Sequence, residues 1–252
     1  MKKCFLHIGN FKTGSTSIQK FLYINSNKLG LHSIHPVYYE NWFGETINHY
    51  NLYKNFYEED LKEIKEFFSK IDNDKNIILS SEYFSSFSND LNKIKFLKET
   101  IEGFGYKLII IFYYRKDSDS LYSLYSEILK QRHTTEIENV FKFKKKVFKY
   151  GYYFVDKKSK NWYVNSKYFL DYKAVCEIWK KFFKDDFHSI ECKFENNNTI
   201  FNDLLKILGI GNPLEFKIPS KKNVTTKIKF WKLKRIFFYF YLKYHGNKFY
   251  KK

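Results

Sequence analysis

Seven consecutive apolar residues, Leu108 to Tyr114, stop at Arg115, and this run constrains the fold more than any other stretch. A strand with one face in solvent alternates apolar and polar residues. An unbroken apolar run needs cover on both faces, which parallel sheets receive from their crossover helices. Two shorter stretches also read as strands: the largely apolar run Cys4 to Ile8, ending at Gly9, and Asn76 to Leu79, followed by Ser80, Ser81 and Glu82. Between the runs, apolar residues recur at helical spacing. Ile18, Phe21, Leu22 and Leu29 predict one helix, Leu61, Ile64, Phe68 and Ile71 a second, and Ile94, Leu97, Ile101 and Phe104 a third that Gly103 and Gly105 terminate. The alternation predicts an α/β fold of three layers, a central parallel sheet flanked by helices. Ligands of such sheets collect at the carboxyl ends of the strands, here Gly9, Ser80 and Arg115.

Beyond Arg115, Asp117 is placed to cap a helix with Leu121, Leu124 and Ile128 inward, and Phe141 to Val164 reads as a hairpin or lid. Tyr172 to Phe183 predicts a helix, Ser189 to Phe194 a strand, and Ile200 to Leu208 a helix ended by Gly209 and Gly211. A chain of 252 residues with 44% hydrophobic content can bury one substantial core.

The formal net charge of +18 comes almost entirely from lysine, since Arg115, Arg132 and Arg235 are the only arginines. Such basicity favours anionic partners, although a compositional bias toward Lys, Asn, Ile, Phe and Tyr accounts for part of it. From Lys217 onward there are twelve basic residues and no acidic one. Phe230, Leu233, Phe237, Phe240 and Tyr244 share one helical face of this tail, which therefore reads as a basic amphipathic helix. Such a helix can rest on an anionic membrane or pack its stripe on the domain. Cys4, Cys176 and Cys192 have neither zinc-site nor disulfide-framework spacing, so a reducing compartment is expected. The first apolar run meets His7 and Gly9 too early for a signal peptide, and no stretch reaches the roughly 18 apolar residues of a spanning helix. A cytoplasmic protein without metal is the expectation.

The segment Gly9-Asn10-Phe11-Lys12-Thr13-Gly14-Ser15-Thr16 has the glycine spacing and terminal hydroxyl of a nucleotide phosphate loop, with Ser15 at the lysine position and the lysine moved to Lys12. Backbone N–H groups of such a loop and the following helix N-terminus give positive potential for a phosphate. Lys12 adds a mobile full charge.

The run from His7 to Gln19, with its core Lys12-Thr13-Gly14-Ser15-Thr16-Ser17, resembles the 5'-phosphosulfate loop of sulfotransferases, particularly bacterial carbohydrate sulfotransferases. Arg115 at a strand end with Ser123 eight residues later resembles that family's 3'-phosphate site. The planar fork of an arginine suits bidentate phosphate binding, which lysine cannot reproduce. The asparagine and proline that often follow this arginine in animal enzymes are replaced by Lys116 and Asp117.

The resemblance implies a P-loop-like sulfotransferase domain over residues 1–216, with the basic amphipathic tail over 217–252. It implies 3'-phosphoadenosine 5'-phosphosulfate (PAPS) as donor, PAP as product, and the hydroxyl of a glycan as acceptor, with no nucleic acid. Lys12, Thr13, Gly14, Ser15, Thr16, Ser17, Arg115 and Ser123 would bind the donor. Sulfuryl transfer to a hydroxyl needs charge stabilisation at the bridging oxygen and a base for the acceptor proton. Lys12 suits the first role and Glu82, at the same sheet edge, the second. His7 reads as a buried, hydrogen-bonded histidine and His133 as an exposed helix-end residue. Lys221, Lys222 and Asn223 are further candidates to reach the donor or an acidic acceptor. A nucleotide-dependent kinase is the alternative that the loop spacing favours and Ser15 opposes. A nucleic-acid-binding module, resting on the basic aromatic tail, is a third.

Overall fold

The computed structural model describes residues 1–10, 13–36, 49–71, 74–116, 171–192 and 197–219. The predicted helix at Asp117, the hairpin or lid, and the tail after Pro219 lie outside these residues.

Among the described residues, five parallel strands form one sheet in the order β2-β3-β1-β4-β5. Along the chain, β1 (Lys2–Gly9) is followed by α1 (Ser15–Ile24), α2 (Ser26–Leu31), β2 (Ile34–Pro36), α3 (Tyr50–Glu58), α4 (Leu61–Ser69) and β3 (Asn76–Ser80). A 3-10 helix, Glu82–Asn89, then leads to α5 (Leu91–Gly103), β4 (Tyr106–Tyr114), α6 (Tyr172–Phe183), β5 (Phe187–Glu191) and α7 (Asn197–Ile207). The fold is α/β, with the sheet between two helical layers as the apolar runs require.

Alternate residues of the strands feed two cores. Cys4, Leu6, Ile8, Leu108, Ile110 and Phe112 face α3 to α6 and the 3-10 helix, where Phe56, Phe68, Phe84 and Trp179 are buried. Phe5, Ile78, Ile109, Ile111 and Tyr113 face α1, α2 and α7, against Phe21, Leu29, Phe201 and Leu204. Cover on both faces is the reason that the centres of β1 and β4 are apolar throughout.

The connection after β1 crosses one face toward β2, whereas the connection after β3 crosses the other face and passes over β1 to β4. This reversal opens the crevice at the carboxyl ends of β3, β1 and β4.

Several boundaries differ from the sequence expectation. The helix expected from Ile18 to Leu29 is two helices that meet at Asn25. The Asn25 amide donates to the Phe21 and Lys217 carbonyls at 2.9 and 2.8 Å, and its Oδ1 accepts from the Lys217 N–H at 2.8 Å. A side chain serving a distant segment in this way competes with helix continuation. Leu61 is 46% exposed as the first residue of α4, and Phe67 fills the core with Ile64 and Phe68. β5 begins at Phe187, two residues before the expected Ser189, because its register pairs Phe187 with Ile110 and Glu191 with Tyr114. α7 begins at Asn197 rather than Ile200 and ends at Ile207.

Candidate functional site

The crevice is built on Gly9. A Cβ here would lie 2.8 Å from Thr13 Oγ1 and 3.2 Å from the Tyr113 carbonyl oxygen, so only glycine lets the chain turn this tightly over the end of β4. The Asn10 N–H donates to that Tyr113 carbonyl at 3.1 Å. The Thr13 hydroxyl donates back to the Asn10 carbonyl at 2.6 Å, closing the turn, and the Cys192 thiol donates to the Thr13 carbonyl at 3.1 Å from the end of β5. Asn10, Thr13 and Cys192 are all buried. Burial pushes the Cys192 thiol up to about 12, against the opposing pull of the Arg115 charge, so it stays protonated and donating.

Gly14 takes a left-handed conformation, φ 87°, and caps α1. Its carbonyl accepts from the Ser17 and Ile18 N–H groups at 2.8 and 3.1 Å. No side chain caps this helix and its first turn holds no acidic residue, so its N-terminal positive potential is not neutralised there. Ser15 is buried while Thr16 and Ser17 are exposed. Among the described residues, Ser15 Oγ, Ser81 Oγ and His7 Nε2 are buried without a hydrogen-bond partner. Such groups cost free energy unless a ligand satisfies them.

His7 is the buried, hydrogen-bonded histidine expected from its place in the first strand. Its Nδ1 lies 2.6 Å from Ser80 Oγ, and its ring meets Tyr113 edge-on at 5.1 Å. Burial depresses it to about 3, so it is neutral at physiological pH.

Glu82 opens the 3-10 helix just beyond β3, where the Ser81 N–H donates to the His7 carbonyl at 3.0 Å. Gln19 Nε2 donates to Glu82 Oε2 at 3.3 Å. Arg115 follows the last residue of β4, half-buried beside Cys192. The sheet therefore brings together Thr13 to Ser17, Glu82 and Arg115 at the ends of β1, β3 and β4. With strands about 4.8 Å apart, this set spans roughly 10 Å between the outer two. Lys12, Ser123, His133, Lys221, Lys222 and Asn223 lie outside the described residues. Sequence patterns alone assign no role to Gln19 or Cys192. The available signal for Gln19 is its position four residues after Ser15, which puts both on one helix face.

No family model and no curated protein sequence matches the chain. Among solved structures it is similar to the sulfotransferase from Alicyclobacillus acidocaldarius, with TM-score 0.51 and 12% identity over 95% of this chain and 92% of that one. The chain has a sulfotransferase fold. A mouse sulfotransferase complexed with PAP matches with TM-score 0.46 and 12% identity over 84% of this chain and 61% of that one. A de novo designed protein of P-loop NTPase fold matches with TM-score 0.24 and 18% identity over 58% and 90%.

On this sulfotransferase fold, no group of three or more His, Cys, Asp and Glu side chains is placed to hold a metal ion among the described residues. Nor is any described helix long and apolar enough to cross a membrane.

Proposed function

We propose that this protein transfers a sulfuryl group from PAPS to a hydroxyl of a carbohydrate, such as a cell-surface polysaccharide or a lipid-linked glycan. The observation that carries the reading is the sheet order: β3, β1 and β4 are neighbours, so Glu82, the loop and Arg115 stand side by side at one edge. The residues fit a donor with anionic groups at both ends. The uncapped α1 N-terminus and the buried Ser15 hydroxyl without a partner favour an anion against the loop, which the missing side chain at Gly9 lets turn tightly over β4. Arg115, with Ser123, suits the 3'-phosphate.

When bound, the donor supplies the sulfuryl group and a stable bisphosphate leaving group. Thr13 to Ser17 hold its 5' end through backbone N–H and hydroxyl groups, and Lys12 stabilises negative charge at the leaving oxygen. Glu82 takes the proton of the acceptor hydroxyl. Residues 217–252, basic and amphipathic in sequence, would keep the enzyme near a membrane-borne acceptor.

The test is transfer of labelled sulfate from PAPS to a panel of bacterial glycans in metal-free buffer. Label in a glycan supports the reading. Phosphate transfer from magnesium-ATP without sulfate transfer overturns it in favour of the kinase. Glu82→Gln is expected to lower turnover about 100-fold or more with donor affinity unchanged; normal turnover removes Glu82 as base.

A further inference from the structure

The 3.3 Å contact between Gln19 Nε2 and Glu82 Oε2 joins the helix that starts at the loop to the group proposed as base, across 63 positions of sequence. Gln19 is 5% exposed and Ser15 7%; four residues apart, they share one face of α1. The rise between them is about 6 Å, so one turn beyond the N–H groups offered to the donor the helix reaches the carboxylate that opens the 3-10 helix after β3. A glutamine amide suits this connection for a chemical reason. It donates without titrating, so it holds a carboxylate in its ionised, proton-accepting form and cannot protonate it.

We propose that Gln19 is a positioning residue that orients Glu82 against the donor loop and favours its ionised form. The inference rests on the reading of Glu82 as base, and it gives α1 two roles. The first turn of the helix meets the donor while the second fixes the acceptor side. Movement of the loop would therefore be felt at the carboxylate through one rigid element. At 3.3 Å the contact is slightly longer than the usual N–H···O range, as catalytic contacts often are before substrate tightens the site.

Glu82 has Tyr83 as a titratable neighbour on its own 3-10 helix. Burial, Glu82 itself and Tyr53 push the Tyr83 phenol well above its ordinary range, so it remains neutral while a carboxylate titrates. Tyr53, packed on Tyr83 from α3, is held up to about 12 by burial, and His7 on β1 is kept neutral, down to about 3. Tyr53 and Tyr83 stay neutral throughout the range in which a carboxylate titrates, and His7 changes charge only near 3.

The experiment follows the side-chain carboxyl carbon of Glu82 by 13C NMR in the full chain, its resonance assigned by its loss in Glu82→Gln. Gln19→Met, an apolar side chain of similar length, is expected to move the Glu82 titration to higher pH, and Gln19→Glu to move it further. Affinity for adenosine 3',5'-bisphosphate, measured by calorimetry, should change less than about 2-fold in Gln19→Met, since the amide is not assigned to the donor. A Glu82 titration unchanged in both variants overturns the proposal. So does a loss of bisphosphate affinity matching that of a loop variant, which would assign Gln19 to the donor instead. Failure of Glu82 as base is seen separately, as normal sulfate transfer by Glu82→Gln, whatever its titration does.

Discussion

The two edges of the sheet solve different problems with the same strands. At the amino edge, partly exposed charges are paired: Lys107 lies 2.6 Å from Asp186, and the Lys2 ammonium sits 5.3 Å from the Tyr106 ring centre. At the carboxyl edge His7, Asn10, Thr13, Ser15, Ser80 and Ser81 are uncharged at neutral pH and almost wholly buried. Some of their polar atoms have partners at 2.6 Å, whereas Ser15 Oγ, Ser81 Oγ and His7 Nε2 have none among the described residues. A buried polar atom without its hydrogen bond costs about 1–3 kcal/mol, so the carboxyl edge departs from the cheapest packing where a ligand is expected. The amino edge shows how the chain treats polarity that has only to be soluble.

Substitutions can break this contrast, and the largest effect is expected at Gly9. Gly9→Ala should abolish binding of adenosine 3',5'-bisphosphate in calorimetry and lower stability by about 1–3 kcal/mol in denaturant unfolding, since the new Cβ forces Thr13 or the Tyr113 carbonyl aside. Arg115→Ala should weaken the same ligand about 10- to 100-fold, the loss of a charge-assisted phosphate contact. Unchanged affinity would remove Arg115 from the donor site.

The buried carboxyl edge also carries a pH dependence. His7 is depressed from an ordinary 6.5 to about 3 by burial, so between those values the unfolded chain binds a proton that the folded chain refuses. Stability should be full above pH 6.5 and fall as pH drops toward 3. His7→Gln should flatten the slope of melting temperature against pH in that window. At the amino edge, Lys107→Met removes a half-exposed ion pair and should change stability by less than about 1 kcal/mol, with no change in bisphosphate affinity.

The parallel sheet is legible in the sequence because β1, β3 and β4 are apolar on both faces, a pattern that few other architectures produce. α6 is legible to its ends: Val175, Trp179 and Phe183 recur every fourth residue, and Asp171 caps it by accepting from the Ala174 N–H at 3.0 Å. β2 has three residues, too few for any period. The 3-10 helix Glu82–Asn89 is hidden by its serines, which read as loop. Its local bonds from Ser85 and Ser88 to preceding carbonyls satisfy the backbone while Phe84 and Phe87 enter the core. The phosphate loop is legible from glycine spacing. The contacts of Gln19 with Glu82 and of Cys192 with Thr13 are not, because each pair meets only through the lateral order of the strands, which no local pattern encodes.

The central claim is that the carboxyl edge is a donor site for a nucleotide with phosphate at both ends. Calorimetric titration with adenosine 3',5'-bisphosphate in metal-free buffer tests it most directly. Saturable binding at one site is expected, weakened by Arg115→Ala and lost in Gly9→Ala. Absence of binding by the wild-type chain, with magnesium-ATP bound in its place, would contradict it.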